Sequence, residues 1–88
     1  MMTKCLAVEW AKKGIRVNAI CPGYMKTDLL DNTNKENPEW EATWLDSTPM
    51  GRIGDAHELK GPVVFLASDA STYVTGAELF VDGGYTAI

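Results

Sequence analysis

The sequence predicts an α/β fold in which two parallel strands form the end of a doubly wound sheet, in the order helix, strand, lid, helix, strand. Three observations predict it: helical apolar spacing near the N-terminus and again at 56–68, two short β-rich segments, and a polar interval between them. Strands joined through a helix are normally parallel, and parallel strands are normally paired at both edges. Two strands cannot satisfy that requirement alone, so we expect residues 1–88 to be one partial domain whose earlier strands are missing.

The composition limits the size of the domain and the classes of partner. With 88 residues, 45% of them hydrophobic, the chain can bury only a thin core. Twelve acidic residues against 8 basic ones give a net charge of −4, and the basic residues are dispersed, so no nucleic-acid partner is expected. Two cysteines, Cys5 and Cys21, and one histidine, His57, support neither a disulfide framework nor a metal site.

No segment of the sequence predicts contact with a membrane. The longest nearly apolar run is far shorter than the roughly 20 residues of a membrane-spanning helix. The N-terminus also lacks the apolar core of a signal peptide. We therefore expect a cytoplasmic protein with reduced cysteines.

The first helix is predicted over 2–13. Met2, Leu6 and Trp10 recur every four positions, and Gly14 can adopt the left-handed conformation that ends a helix. No capping residue precedes the apolar pattern, so we expect this helix to continue a longer one.

A strand is predicted over 15–21, where apolar and polar residues alternate up to the turn at Pro22-Gly23. Asn18 lies inside it, and a buried amide is costly unless it is hydrogen-bonded, so we expect it to join a network with a neighbouring loop. Both cysteines are expected to be small buried hydrophobic residues.

The interval 26–48 is predicted to be a lid, because it is polar and carries isolated large apolar groups. Trp40 and Trp44 are four positions apart, so one short helical turn places both indoles on the same face. They either cap the core or cover a pocket, and the sequence leaves both interpretations open.

The second helix is predicted over about 56–68, after a capping-box pattern of Asp55 and Glu58. The Gly61-Pro62 pair predicts a kink or a late helix start. The second strand is predicted from Glu78 to Val81, followed by Asp82-Gly83-Gly84. These three residues favour a tight turn that brings the C-terminus into a subunit contact, with a phosphate-binding nest as the alternative.

Two strings of residues resemble the C-terminal part of the short-chain dehydrogenase/reductase family, and its fungal polyol and sorbose reductase-like branch in particular. They are AVEWAKKGIRVNAICPGYMKTDL and PMGRIGDAHELKGPVVFLASDASTYVTGAELFVDGGYT, which cover nearly the whole chain. Five motifs are specific for this family when they occur together: GIRVN, PG with Thr four residues after the Gly, FLASD, TG and VDGG. The resemblance implies a Rossmann-type sheet, NAD(P) as cofactor and hydride transfer at a carbonyl or alcohol carbon.

The resemblance also implies cofactor-binding roles for Pro22, Gly23, Met25 and Thr27, and substrate-binding roles for Tyr24, Trp40 and Trp44. Glycine lets a backbone approach the flat nicotinamide ring closely. A threonine hydroxyl beside free amides can bind amide or phosphate oxygens.

The family's glycine-rich phosphate loop, catalytic serine and Tyr-x-x-x-Lys pair do not occur in the 88 residues. Lys is four residues after none of Tyr24, Tyr73 and Tyr85. No catalytic residue is therefore predicted, and we expect the chain alone to be inactive and to bind NAD(P) weakly or not at all. Neither the choice between NAD and NADP nor the substrate can be predicted.

Two hypotheses follow. The first is the C-terminal segment of an NAD(P)-dependent oxidoreductase that acts on a sugar or polyol, with a small-molecule substrate in the full-length parent. The alternative is a non-catalytic oligomerisation or interaction module, or a truncated gene product. An open strand edge and apolar helix faces favour a homo-oligomer or docking onto a full-length relative.

Overall fold

The computed structural model describes residues 1–26 and 38–87. Its helices and strands are α1 (Met2–Trp10), β1 (Ala19–Pro22), β2 (Met25–Lys26), α2 (Pro38–Ser47), β3 (Gly54–Asp55), α3 (Lys60–Ala67) and β4 (Glu78–Val81). They belong to two compact units: the first is Met1–Cys21 with Lys60–Leu79, and the second is Pro22–Leu59 with Phe80–Ile88.

The first helix follows its prediction. Regular α-helix ends at Trp10, and a 3₁₀ turn over Ala11–Lys13 completes the predicted span. Gly14 has a φ of 78° and donates its N–H to the carbonyl of Ala11. The predicted left-handed glycine therefore ends this helix.

β1 and β4 form a two-stranded parallel sheet. The Ala19 N–H donates to the Ala77 carbonyl at 2.9 Å, and the Gly23 N–H donates to the Val81 carbonyl at 3.0 Å. Both bonds link residues separated by the same interval along the chain, as in a parallel pair. Within the described ranges, β1 pairs with no strand except β4, so the other edge of β1 has no partner there.

The predicted start of β1 at Ile15 is wrong, because the strand begins at Ala19. The Val17 N–H donates to the Thr75 hydroxyl at 3.1 Å, and the Asn18 side chain bonds to backbone groups near position 75. Backbone ahead of Ala19 is therefore held by side chains together with one backbone bond, from the Gly76 N–H to the Val17 carbonyl at 2.8 Å, and not by a regular ladder.

A polar network holds the first unit together. The Asn18 amide donates to the Val74 carbonyl at 2.9 Å and accepts from the Ala77 N–H at 3.0 Å, which confirms the predicted network. Arg16 donates to the hydroxyl of Ser71 at 3.0 Å, and Ser71 is only 1% exposed. Arg16 and Asn18, the polar residues of GIRVN, therefore connect the segment before β1 to the loop before β4 through hydrogen bonds.

The second helix starts late, as the Gly61-Pro62 pair predicts. A 3₁₀ turn over Ala56–Leu59 precedes α3. Pro62 falls in the first turn of α3, where a missing N–H leaves no helical bond unmade. Ahead of the turn, the Glu58 carboxylate accepts the Asp55 N–H at 3.0 Å, which is one half of the predicted capping box.

Large apolar side chains remain exposed on both helices of the first unit. Val8 of α1 is 82% exposed and Val64 of α3 is 63% exposed. The prediction that both cysteines are buried is wrong, because Cys21 is only half-buried and Cys5 is exposed while Ala7 is buried. Residues two positions apart on a helix point in nearly opposite directions, so one face of α1 cannot bury both.

No helix in the described part of the chain is long and apolar enough to cross a membrane. Nor do residues 1–26 and 38–87 contain a cluster of three or more side chains that could hold a metal ion.

Candidate functional site

The loop that follows β1 is anchored at Gly23. A Cβ at this position would lie 2.7 Å from the Asp82 Cβ, and the Gly23 N–H is already bonded to the Val81 carbonyl. The absence of a side chain at Gly23 is therefore required by packing inside the second unit. The family resemblance implied close approach of Gly23 to a nicotinamide, and nothing in the sequence indicates this internal contact.

Tyr24 is the centre of an aromatic cluster. Its ring stacks on that of Trp44 with centroids 4.9 Å apart and an interplanar angle of 17°. On another side, Tyr85 meets it edge to face, at 5.6 Å and 88°. Trp40 lies 6.5 Å from Trp44 and is 46% exposed. The structure thus brings together the three residues for which the resemblance implies substrate contact.

Helix α2 explains the position of both indoles. Trp40 and Trp44 lie four residues apart on the helix Pro38–Ser47, so they share a face, as predicted. Trp44 packs on Tyr24, whereas Trp40 keeps nearly half of its surface exposed. The pair therefore combines a packed indole with an accessible one.

The surroundings of Tyr24 raise its pKa above the usual 10.0. The largest cause is removal of the phenol from water, and hydrogen bonding and charge repulsion with the Tyr85 phenol follow. The neutral phenol is therefore the form that the folded site favours at neutral pH.

The sequence did not predict that Tyr85 belongs to this site. Tyr85 follows the turn Asp82-Gly83-Gly84, in which Gly83 and Gly84 have φ values of 62° and 93°. The Asp82 carboxylate accepts the Gly84 N–H at 3.0 Å and the Thr86 hydroxyl at 2.7 Å. Both groups donate to a carboxylate of the chain itself, so the segment forms the predicted tight turn and not a phosphate nest. An aromatic residue directly after a Gly-Gly turn was the one available signal for Tyr85.

The segment that follows α2 supports this turn. The Met50 N–H donates to the Gly83 carbonyl at 3.0 Å. Added Cβ atoms at Gly83 and Gly84 would lie 2.9 Å from Thr48 Cγ2 and 3.1 Å from Pro49, respectively. Only glycines can therefore bring the turn so close to the end of α2.

A cavity of about 260 Å³ lies beside the short parallel pair of β2 and β3. Its lining includes Met25, Met50, Arg52 and Glu58. Arg52 and Glu58 form a bidentate pair, with N–O distances of 2.7 and 2.9 Å. The hydrogen bonds from Arg52 and then from the Asp55 N–H lower the pKa of Glu58 to about 2. Arg52 and Glu58 therefore neutralise each other, and Asp82 is the third charged residue of the lining.

The residues implied to bind the cofactor fit a nicotinamide only in part. Pro22 is exposed at the end of β1, and Met25 is half-buried beside the cavity. The Gly23 amide, in contrast, is bonded within the chain. Thr27 lies outside the described residues.

The chain is similar in sequence to known dehydrogenases and reductases. A family model described as enoyl-(acyl carrier protein) reductase matches residues 1–86. Galactitol 2-dehydrogenase (L-tagatose-forming) of Cereibacter sphaeroides is 54% identical over 85 residues, which are 97% of this chain and 33% of the relative. A sorbose reductase of Candida albicans is 51% identical over 85 residues, covering 97% of this chain and 29% of the relative.

A solved structure also matches the fold of this chain. It is a proposed 2-deoxy-D-gluconate 3-dehydrogenase of Agrobacterium tumefaciens with bound NADP, 45% identical, with a TM-score of 0.92 over 99% of this chain and 35% of that one. The predicted C-terminal part of a Rossmann-type doubly wound sheet is thereby confirmed. The chain spans about a third of the length of the relatives that it matches. It belongs to the short-chain dehydrogenase/reductase family.

Proposed function

We propose that this chain is the C-terminal segment of an NAD(P)-dependent oxidoreductase that acts on a sugar or polyol, and that it carries one wall of the substrate pocket. The observation that carries this proposal is the aromatic cluster in which Tyr24, in the loop at the end of β1, packs with Trp40 and Trp44 of α2. Ligands of open α/β sheets bind outside the carboxyl ends of the strands, where this cluster begins.

The proposed substrate class rests on the relatives and on the chemistry of the wall. Their names specify galactitol, L-tagatose and sorbose, which are polyhydroxy compounds. Aromatic faces pack on the C–H surfaces of such molecules, and a phenol hydroxyl can bond to one of their alcohols. Trp40, with its half-exposed indole, offers the accessible face.

The proposed cofactor-binding residues are Pro22, Gly23, Met25 and Thr27. A bound nicotinamide would supply or accept the hydride, whereas these residues would bind and orient its ring. A relative whose solved structure contains NADP supports this class of cofactor. The proposal names NAD or NADP as the cofactor and makes no choice between them.

We further propose that the chain alone does not catalyse this reaction. Its 88 residues contain no Tyr-x-x-x-Lys pair, so a phenol with an adjacent ammonium is not available to transfer the proton. In the full-length parent, which we propose to be cytoplasmic, the rest of the fold would supply that pair.

A chimera tests the proposal. The 85 matched residues of the Cereibacter sphaeroides galactitol 2-dehydrogenase are replaced by this chain, and galactitol-dependent reduction of NAD⁺ and of NADP⁺ is measured. We expect turnover by the chimera and none by the isolated chain. A Trp44→Ala chimera is expected to have a higher KM, because the Tyr24 ring loses its stacking partner.

The intact galactitol 2-dehydrogenase is the positive control. A folded chimera that oxidises neither galactitol nor any other sugar alcohol, while the parent enzyme does, contradicts the proposed role of this chain. Turnover by the isolated chain contradicts the proposal that it is inactive alone.

A second candidate function is a non-catalytic interaction module. The observation that favours it is the exposure of three consecutive apolar residues of α3, Val63, Val64 and Phe65, at 49%, 63% and 42%. Apolar patches of this kind mark association surfaces in many proteins. Sedimentation velocity over a wide range of chain concentrations distinguishes self-association from a stable monomer.

A further inference from the structure

We propose that Tyr85 is a positioning residue, which holds Tyr24 against Trp44 and so sets the affinity of the pocket wall for its substrate. This inference rests on the proposed function and adds to it a specificity-determining position near the C-terminus. Tyr85 acts through Tyr24 and needs no contact with the reacting atoms.

The geometry of the three rings carries the first step. Trp44 lies against the face of Tyr24 at 4.9 Å, and Tyr85 contacts the same ring edge to face at 5.6 Å. A stacked neighbour allows a ring to slide in its own plane, whereas a second ring at 88° restricts that movement. The two neighbours therefore restrict the Tyr24 ring in different directions.

The second step is that Tyr85 is held independently of Tyr24. Its N–H donates to the Asp82 carbonyl at 3.2 Å, and the next residue, Thr86, is bonded to the Asp82 carboxylate at 2.7 Å. The hydrogen bond from Thr86 is the largest cause that lowers the pKa of Asp82, so this carboxylate stays charged at neutral pH. The turn therefore provides a fixed base for the Tyr85 ring.

The third step links the same turn to the other side of the cluster. Gly83 approaches the methyl group of Thr48, and the Thr48 hydroxyl donates to the Trp44 carbonyl at 2.8 Å. Thr48 is only 7% exposed, so this connection is buried. The turn thus contacts both Tyr24, through Tyr85, and the last turn of the helix that carries Trp44.

Loss of the Tyr85 ring should therefore weaken substrate binding more than catalysis. We expect Tyr85→Ala in the chimera to raise KM for galactitol about three- to ten-fold, the effect of losing one aromatic pair. The value of kcat should change by less than about two-fold, because the proton-transferring groups lie elsewhere. Tyr85→Phe keeps the ring and should restore most of the lost affinity.

The matched control is Tyr73→Ala, because Tyr73 is fully exposed at 102%. It removes the same side chain without touching the cluster and should leave KM at the parent value. Equal KM values for the Tyr85→Ala and Tyr73→Ala chimeras would overturn the inference.

A spectroscopic measurement on the full chain separates this inference from the proposed function. The near-ultraviolet circular dichroism of the stacked Tyr24 and Trp44 rings should weaken in Tyr85→Ala and persist in Tyr85→Phe and Tyr73→Ala. An inactive chimera of the unsubstituted chain contradicts the proposed function, while these spectra still test the positioning role. Unchanged aromatic signals in Tyr85→Ala, or an equal loss in Tyr85→Phe, would overturn it.

Discussion

Gly23 and Asp82 lie so close together that no side chain fits at position 23. A Cβ there would be 2.7 Å from the Asp82 Cβ and 2.8 Å from the Asp82 Cα. The second of these atoms belongs to the backbone, so a rotamer change cannot relieve the overlap. This contact fixes the start of the Pro22–Met25 loop against the turn that carries Tyr85 to its place.

Gly23→Ala is therefore expected to destabilise the chain. Overpacking of this kind costs about 1–3 kcal/mol, because backbone and neighbouring side chains must shift. The measurement is the free energy of unfolding in urea, followed by circular dichroism. We also expect a weaker near-ultraviolet signal, since the loop holds Tyr24 in the aromatic cluster.

Gly61→Ala is the matched control, because a Cβ on Gly61 would meet nothing within 4 Å. Gly61 lies inside α3, where alanine favours the helix by up to about 1 kcal/mol. Equal stabilities of Gly23→Ala and the unsubstituted chain would contradict the packing argument.

The elements that depend on local sequence could be predicted. The left-handed Gly14, the late start at Gly61-Pro62 and the strand Glu78–Val81 all follow from the residues in and beside each element. The shared face of Trp40 and Trp44 also follows from helical spacing. None of these predictions depends on which distant segment packs against the element.

The contacts that build the site could not be predicted in this way. The need to bond the Asn18 amide was evident, yet nothing near Asn18 indicates Val74 as its partner. The role of Tyr85 depends on Tyr24, which is far away in the sequence. Sequence periodicity specifies which face of an element is apolar, but it does not specify which other element packs against that face.

Ser71→Ala should reduce stability, because the Ser71 hydroxyl is buried and serves two partners. It donates to the Phe65 carbonyl at 2.6 Å and accepts from Arg16 at 3.0 Å. Ser71→Ala removes both of these hydrogen bonds, and each contributes about 0.5–1.5 kcal/mol. The free energy of unfolding in urea measures the loss.

Ser47→Ala is the control for this substitution. Ser47 is exposed at the end of α2, so its loss should change stability by less than about 0.5 kcal/mol. If both alanine variants unfold at the same urea concentration, the Ser71 network does not stabilise the first unit.

The chain should become less stable as the pH is lowered, because Glu58 is then protonated. Hydrogen bonds from Arg52 lower its pKa from 4.5 to about 2, so the folded state favours the carboxylate. The stabilisation is complete above the unfolded pKa and is lost as the pH falls from about 4.5 towards about 2. Unfolding free energies measured between these pH values should decrease less steeply in Glu58→Gln, which cannot titrate.

The control for Glu58→Gln is Glu9→Gln, which removes the same charge from an exposed position on α1. Glu9→Gln should retain the pH dependence of the unsubstituted chain. The same slope in all three proteins would show that the pair with Arg52 does not contribute to acid stability.

Val64→Glu should reduce self-association if the apolar surface of α3 is an interaction surface. The Val64 side chain is 63% exposed, and a charge placed there would have to lose its water in any interface that covers it. We expect the sedimentation coefficient of the unsubstituted chain to rise with concentration and that of Val64→Glu to stay constant. Thr72→Glu, which adds the same charge at an exposed polar position, should behave like the unsubstituted chain. Identical sedimentation of the two glutamate variants, or a monomeric unsubstituted chain at every concentration, would exclude α3 as the surface through which the chain associates with itself.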